Sequence, residues 1–221
     1  MTARLRVLAI VLLVVGALAI VFTRAPAGPR SLTVFDPDRL ADVEVDMWQA
    51  YYAHQNLRLF GGLLTMLHEQ YRYSWARAGV AGFHLARAAR TFGDAQADYE
   101  RVLPDLEKAY AIMKDWMGSR FDPAAVARAE LAWWVARRIR GQDSPENVGA
   151  LIATENALLF EVPRERVLEA STLRARAGKL RDDGGDRADW SAVSQLLHRS
   201  YRELHAAVQP EEAAAEGYDS K

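Results

Sequence analysis

The chain has no cysteine, and that absence removes several chemistries at once. Disulfides, thiolate nucleophiles and sulfur-ligated metals are excluded, while the redox compartment stays open. Glycine and proline are sparse, 14 and 8 in 221 residues, and they sit mostly at punctuation points. Isoleucine and threonine are few, and no stretch alternates apolar and polar residues as a half-buried strand would. There is no Gly-x-Ser-x-Gly elbow and no glycine-rich phosphate loop.

What remains is rich in Ala, Leu, Arg and Glu, residues that lose little rotamer freedom on a helix. The reading is all-α: an N-terminal anchor helix followed by a multi-helix bundle. Half of the residues are hydrophobic, enough for one sizeable core. Net charge is −1, but the first thirty residues hold four arginines and no acid. The remainder has 24 bases against 29 acids, so the body is net acidic, which argues against a nucleic-acid partner.

Residues 1–24 contain an uncharged apolar run from Val7 to Phe22, flanked by Arg4, Arg6 and Arg24. A core helix would show polar positions at each turn, and this run shows none. It reads as a transmembrane anchor that slightly undershoots the ~30 Å hydrocarbon core, a gap that snorkelling arginines close. The competing assignment is a cleaved signal peptide, with small-x-small patterns at Ala17–Ala19 and Ala25–Ala27. Arginine placement favours a single-pass topology with an extracytoplasmic body. Residues 25–34 are a Pro/Gly-rich linker, and 209–221 an acidic tail without an apolar stripe, expected to be disordered.

Helix starts are written plainly. Asp36-Pro37, Asp122-Pro123 and Ser144-Pro145 each place a capping oxygen before a proline at the first helical position. Helices are expected near 37–72, 75–92, 95–117, 123–140, 145–160, 163–182 and 189–208. The first carries a break signal around 54–62, and Pro104 should kink or split the third.

The chain also repeats itself. Residues 35–50 and 121–136 share seven identities in sixteen positions, including Phe-Asp-Pro, Glu44/Glu130 and Trp48/Trp134. Glu69 and Glu155 match at the same offset, and Tyr110 and Tyr201 match after a short insertion. Repeat one spans 35–118 and repeat two 121–208, within one duplicated domain at 35–208. Two such units, each with an apolar face, would bury those faces against each other about an approximate two-fold axis. Trp48 and Trp134 are the expected core knobs.

Candidate chemistry is thin. "HEQYR" at 68–72 lacks the second histidine of a zinc-peptidase helix, and no Glu-x-x-His tetrad occurs, so no metal site or cofactor is assigned. The repeated carboxylates Glu44, Glu69, Glu130 and Glu155 are the candidate catalytic cluster, if they converge across the pseudo-two-fold axis; the competing assignment pairs each with an arginine. Trp133 is expected to be half-exposed, since Trp134 takes the core direction, and with Arg137 it forms a candidate contact for a ligand or partner. The leading functional expectation is a membrane-anchored binding or scaffolding protein of the cell envelope, with an envelope protein or an apolar ligand as partner. The alternative is a bundle enzyme or metal-binding protein that uses the glutamates.

Overall fold

The computed structural model describes residues 3–210. Among these the structure is all-helical, with nine α-helices and no strand. They are α1 (Ala3–Thr23), α2 (Pro37–Tyr52), α3 (Asn56–Glu69), α4 (Trp75–Asp94), α5 (Leu103–Met117), α6 (Pro123–Ala136), α7 (Pro145–Phe160), α8 (Arg164–Gly184) and α9 (Trp190–Val208). Short 3-10 turns at Tyr99–Val102 and Gly185–Arg187 precede α5 and α9.

The caps lie where the sequence puts them. Asp36 accepts from the backbone N–H of Asp38 and Arg39, Asp122 from Ala124, and Ser144 from Asn147. Each satisfies donors that a helix start would leave open. Ser74 and Asp189 do the same for α4 and α9.

One expected break is present, and two boundaries differ. The first expected helix stops at Tyr52, because His54 adopts a left-handed backbone (φ 56°) before α3 begins. The third expected helix begins only at Leu103. Asp98 is also left-handed, and Pro104 sits in the first turn of α5, where its missing N–H costs nothing. The expected kink is therefore a start. α6 ends at Ala136, four residues early, and passes through turns to Gly141 (φ 87°).

Successive helices pack on one another from α2 to α5 and again from α6 to α9. Two further contacts close the body: α9 lies on α2, and α6 on α5. Val102, Leu106, Val126 and Leu131 fill the core between α4, α5 and α6, while Leu40, Ala153, Val167 and Leu204 join α2, α7, α8 and α9. The closest approach is α7 against α8: a Cβ at Gly149 would lie 2.7 Å from the Thr172 Cα.

Trp48 and Trp134 are both half-buried. Trp48 packs on Ala41, Ala177, Val193 and Leu197, and Trp134 edges onto Phe92 and Trp133.

The expected linker lies down on the body. Leu32 is buried in the core, and the Arg30 guanidinium sits 3.7 Å over the Trp116 ring. The acidic tail lies outside the described residues beyond Pro210; Gln209, just before it, donates to the Thr33 carbonyl at 2.9 Å. Among the described residues no helix is long and apolar enough to cross a membrane.

Candidate functional site

Polar side chains from six helices meet where the two halves of the body join. On α2, Glu44 and Trp48 are one turn apart on one face, so the Trp48 indole N–H reaches back to Glu44 Oε1 at 3.2 Å. Arg174 of α8 donates to the same oxygen at 2.5 Å, and the Tyr201 hydroxyl of α9 donates to Oε2. Across the junction, the Tyr110 hydroxyl of α5 lies 2.9 Å from Glu130 Oε2 on α6 and 3.0 Å from Glu155 Oε1 on α7. The Trp133 indole N–H donates to Glu155 Oε2 at 2.5 Å. The Arg174 guanidinium stands 5.0 Å from the Trp133 ring and 5.9 Å from the Trp48 ring, in reach of the attraction between a cation and an aromatic face.

Burial sets the electrostatics. It pushes Glu130 up to about 8, helped by the neighbouring Glu155 charge. Burial also raises Glu155, while Arg174 and the Trp133 and Tyr110 hydrogen bonds pull it back. Tyr71, Tyr110 and Tyr201 all rise above the usual phenol value, first through burial and then through the carboxylates beside them. Burial opposes the Arg174 charge, but Glu44 and its neighbours outweigh that and raise it.

These groups lie deep, with protein on all sides, yet Glu130, Glu155, Arg174, Tyr71 and Tyr201 keep some solvent-accessible surface. Glu44, Tyr110 and Trp133 are buried, at 4 %, 7 % and 8 % exposure.

Three of the four candidate glutamates, Glu44, Glu130 and Glu155, thus belong to one centre. Glu69 does not. It is the last residue of α3, exposed, and paired with Arg39 at 2.8 Å. Trp133 is buried rather than half-exposed, at 8 %, because its indole turns inward to Glu155 while Trp134 takes the shallower position. Arg137 lies apart from the glutamates and donates to Asp182 at 2.7 Å and to the Tyr52 hydroxyl at 3.2 Å. It lines a cavity of about 90 Å³ with Asp143, Lys179, Asp182 and Asp183.

Sequence reasoning missed Arg174 and Tyr71. The signal for Arg174 was there: Ala170, Ser171, Ala177 and Gly178 flank it at three- and four-residue spacing, and all are buried. A long side chain within a stripe of small buried residues has nowhere to go but inward. Tyr71 lies in the short connection between α3 and α4, where no periodicity marks a face.

Among the described residues, no three acidic or histidine side chains sit close enough to hold a metal ion. What the centre offers is proton exchange between carboxyls and phenols, and a fixed cation against aromatic faces. Comparison of the chain with protein-family models, with characterised proteins and with solved structures finds no match.

Proposed function

We propose that this chain is a single-pass, membrane-tethered helical protein of the cell envelope, with an extracytoplasmic body that acts as a binding or scaffolding module. The observation that carries the reading is α1. Leu12, Leu13, Leu18, Ile20, Val21 and Phe22 are each about 60 % exposed or more, and Ile10, Val11, Val14 and Val15 more than half. A helix apolar all round needs cover on every side, and the run from Val7 to Phe22 between arginines suits a bilayer. α4 packs against α1 and adds Val80 and Phe83, 55 % and 54 % exposed, with Arg87 and Arg90 along the same stripe. Apolar side chains beside arginines suit the headgroup region.

A chain without cysteine makes the test clean. Fluorophores are placed on single cysteines at Val14, Phe83 and Glu146 in the full chain, reconstituted in vesicles. A lipid-borne quencher should reach the label at Val14 and leave that at Glu146 bright. A Val14 label quenched only from the aqueous side would sink the tether.

We infer also that the body is a duplicated helical unit, 35–118 and 121–208, related by an approximate two-fold axis. Support comes from the order α2–α5 and α6–α9, from the 3-10 turn before the last helix of each set, and from the paired contacts of α2 with α9 and α6 with α5. The pairs Tyr201–Glu44 and Tyr110–Glu130 each join one unit to the other.

A second reading has its own observation, the convergence of Glu44, Glu130 and Glu155 on one centre. There the bundle is an enzyme or ion-binding protein that works by proton or cation exchange. Metal analysis of the purified protein beside Glu44→Ala and Glu130→Ala separates the two readings: bound metal lost in both variants favours the second, and no metal in any of the three favours the first.

A further inference from the structure

The Tyr110 hydroxyl presents a hydrogen count that does not balance with two ionised neighbours. Its oxygen lies at hydrogen-bond distance from both Glu130 Oε2, 2.9 Å, and Glu155 Oε1, 3.0 Å. A phenol has one hydrogen to donate, and an ionised carboxylate has none. If both glutamates were charged, one contact would set lone pairs against a negative oxygen beside the buried Tyr110, and such an unsatisfied contact is costly. Both contacts are satisfied when one carboxyl is protonated. That acid donates to the Tyr110 oxygen, and the phenol hydrogen goes to the other carboxylate.

The surroundings decide which one holds the proton. Glu155 has a second donor, the Trp133 indole N–H, on its other oxygen, and the Arg174 charge acts on it. Among the described residues Glu130 has no hydrogen-bond partner besides Tyr110. We propose that Glu130 and Glu155 share one proton across the Tyr110 oxygen, resident on Glu130 at neutral pH, and that this proton clamps α5, α6 and α7 together.

The groups that face Glu130 are Tyr110 from α5, Glu155 from α7 and Arg174 from α8, with Glu44, Tyr71 and Tyr201 behind them. The 3-10 turn, whose ionisable groups are Tyr99, Glu100 and Arg101, meets the far end of α6 near Arg138. Among the described residues Arg174 is the cation that reaches these glutamates, and it is committed to Glu44. Glu44 therefore has its positive partner, while Glu130 has a second carboxyl where its counterpart has an arginine. The rise of Glu130 to about 8 agrees with the hydrogen count. Above that value the centre gains a second unbalanced negative charge, and the clamp becomes a repulsion between α6 and α7.

Infrared spectra of the full chain in detergent test this, through the carbonyl stretch of a protonated carboxylic acid in the folded protein. The band should be present at neutral pH and vanish reversibly as pH rises past about 8. It should persist in Glu69→Gln and disappear in Glu130→Gln, whose amide N–H still donates to Tyr110 and so preserves the fold. It should also disappear in Glu155→Gln, because the remaining Glu130 carboxylate then takes the phenol hydrogen alone. No band in the wild type, or a band that survives in Glu130→Gln, overturns the proposal. A band that survives in Glu155→Gln shows a proton held by burial alone and overturns the sharing. The wild-type titration decides the first point even if a variant fails to fold.

Discussion

Tyr201 donates its hydroxyl hydrogen to the carboxylate of Glu44, 157 residues away along the chain. The contact ties α9 to α2, and on the other side of the junction Tyr110 of α5 meets Glu130 of α6. Between them stands Arg174, whose ion pair with the buried Glu44 is largely shielded from solvent. The consequences can be measured one by one.

Arg174→Met should strand Glu44 as an unpaired buried charge and destabilise the fold by about 3–5 kcal/mol, whereas Glu44→Gln with Arg174→Met should recover most of that loss. Glu69→Gln, which breaks an exposed pair with Arg39, should change stability by no more than about 1 kcal/mol. Urea unfolding of the three variants beside the wild type checks this, and a double variant no more stable than Arg174→Met alone would show that the stranded charge is not the cause.

Stability should depend on pH in two windows of opposite sign. Glu130 is raised in the folded chain, so the fold binds a proton that the unfolded chain releases. Its contribution is full below the unfolded value of 4.5 and is lost as pH rises to about 8. Asp105, buried between Arg87 and His84, is lowered by those partners, chiefly Arg87. Its contribution is present above the unfolded value of 3.8 and is lost as pH falls through its folded value. Melting temperature against pH should therefore lose the fall between about 4.5 and 8 in Glu130→Gln and keep its acid slope.

Two glycines should respond in opposite directions. Gly149→Ala drives a methyl into the Thr172 backbone and should cost roughly 1–3 kcal/mol. Gly79→Ala, with nothing within 4 Å of the new Cβ, should gain roughly 0.5–1 kcal/mol from helix propensity alone. Thermal melts of the two variants provide the comparison.

The neighbouring tryptophans should also differ. Trp133→Phe removes the donor to Glu155 and should cost about 1–3 kcal/mol beyond the lost packing. Trp134→Phe, half-buried and with no hydrogen bond from its indole, should cost less. Denaturant titrations rank the two.

The helical class and most helix starts were legible because capping is local: Asp36, Asp122 and Ser144 need only the next three residues to do their work. The break after Tyr52 falls at the stretch 54–62 that carried the break signal, and His54 takes the left-handed backbone there. Trp133 and Trp134 differ by 100° of helix rotation, and neighbours distant in sequence decide which turns inward. Matching at a fixed offset paired Glu69 with Glu155, yet one ends α3 and the other sits inside α7, because the connections in the two halves differ in length. Glu44 and Glu130 were found because they recur in the two matched stretches, each four residues before a tryptophan. Arg174 was missed because its charge spoke against the burial that its small neighbours required.

The most direct measurement follows the two halves separately during equilibrium unfolding, with single-cysteine fluorophores on exposed positions of α3 and α7. The buried centre should make 35–118 and 121–208 one cooperative body, so both probes should report a single transition with the same midpoint. Two separate midpoints, one for each half, would contradict it.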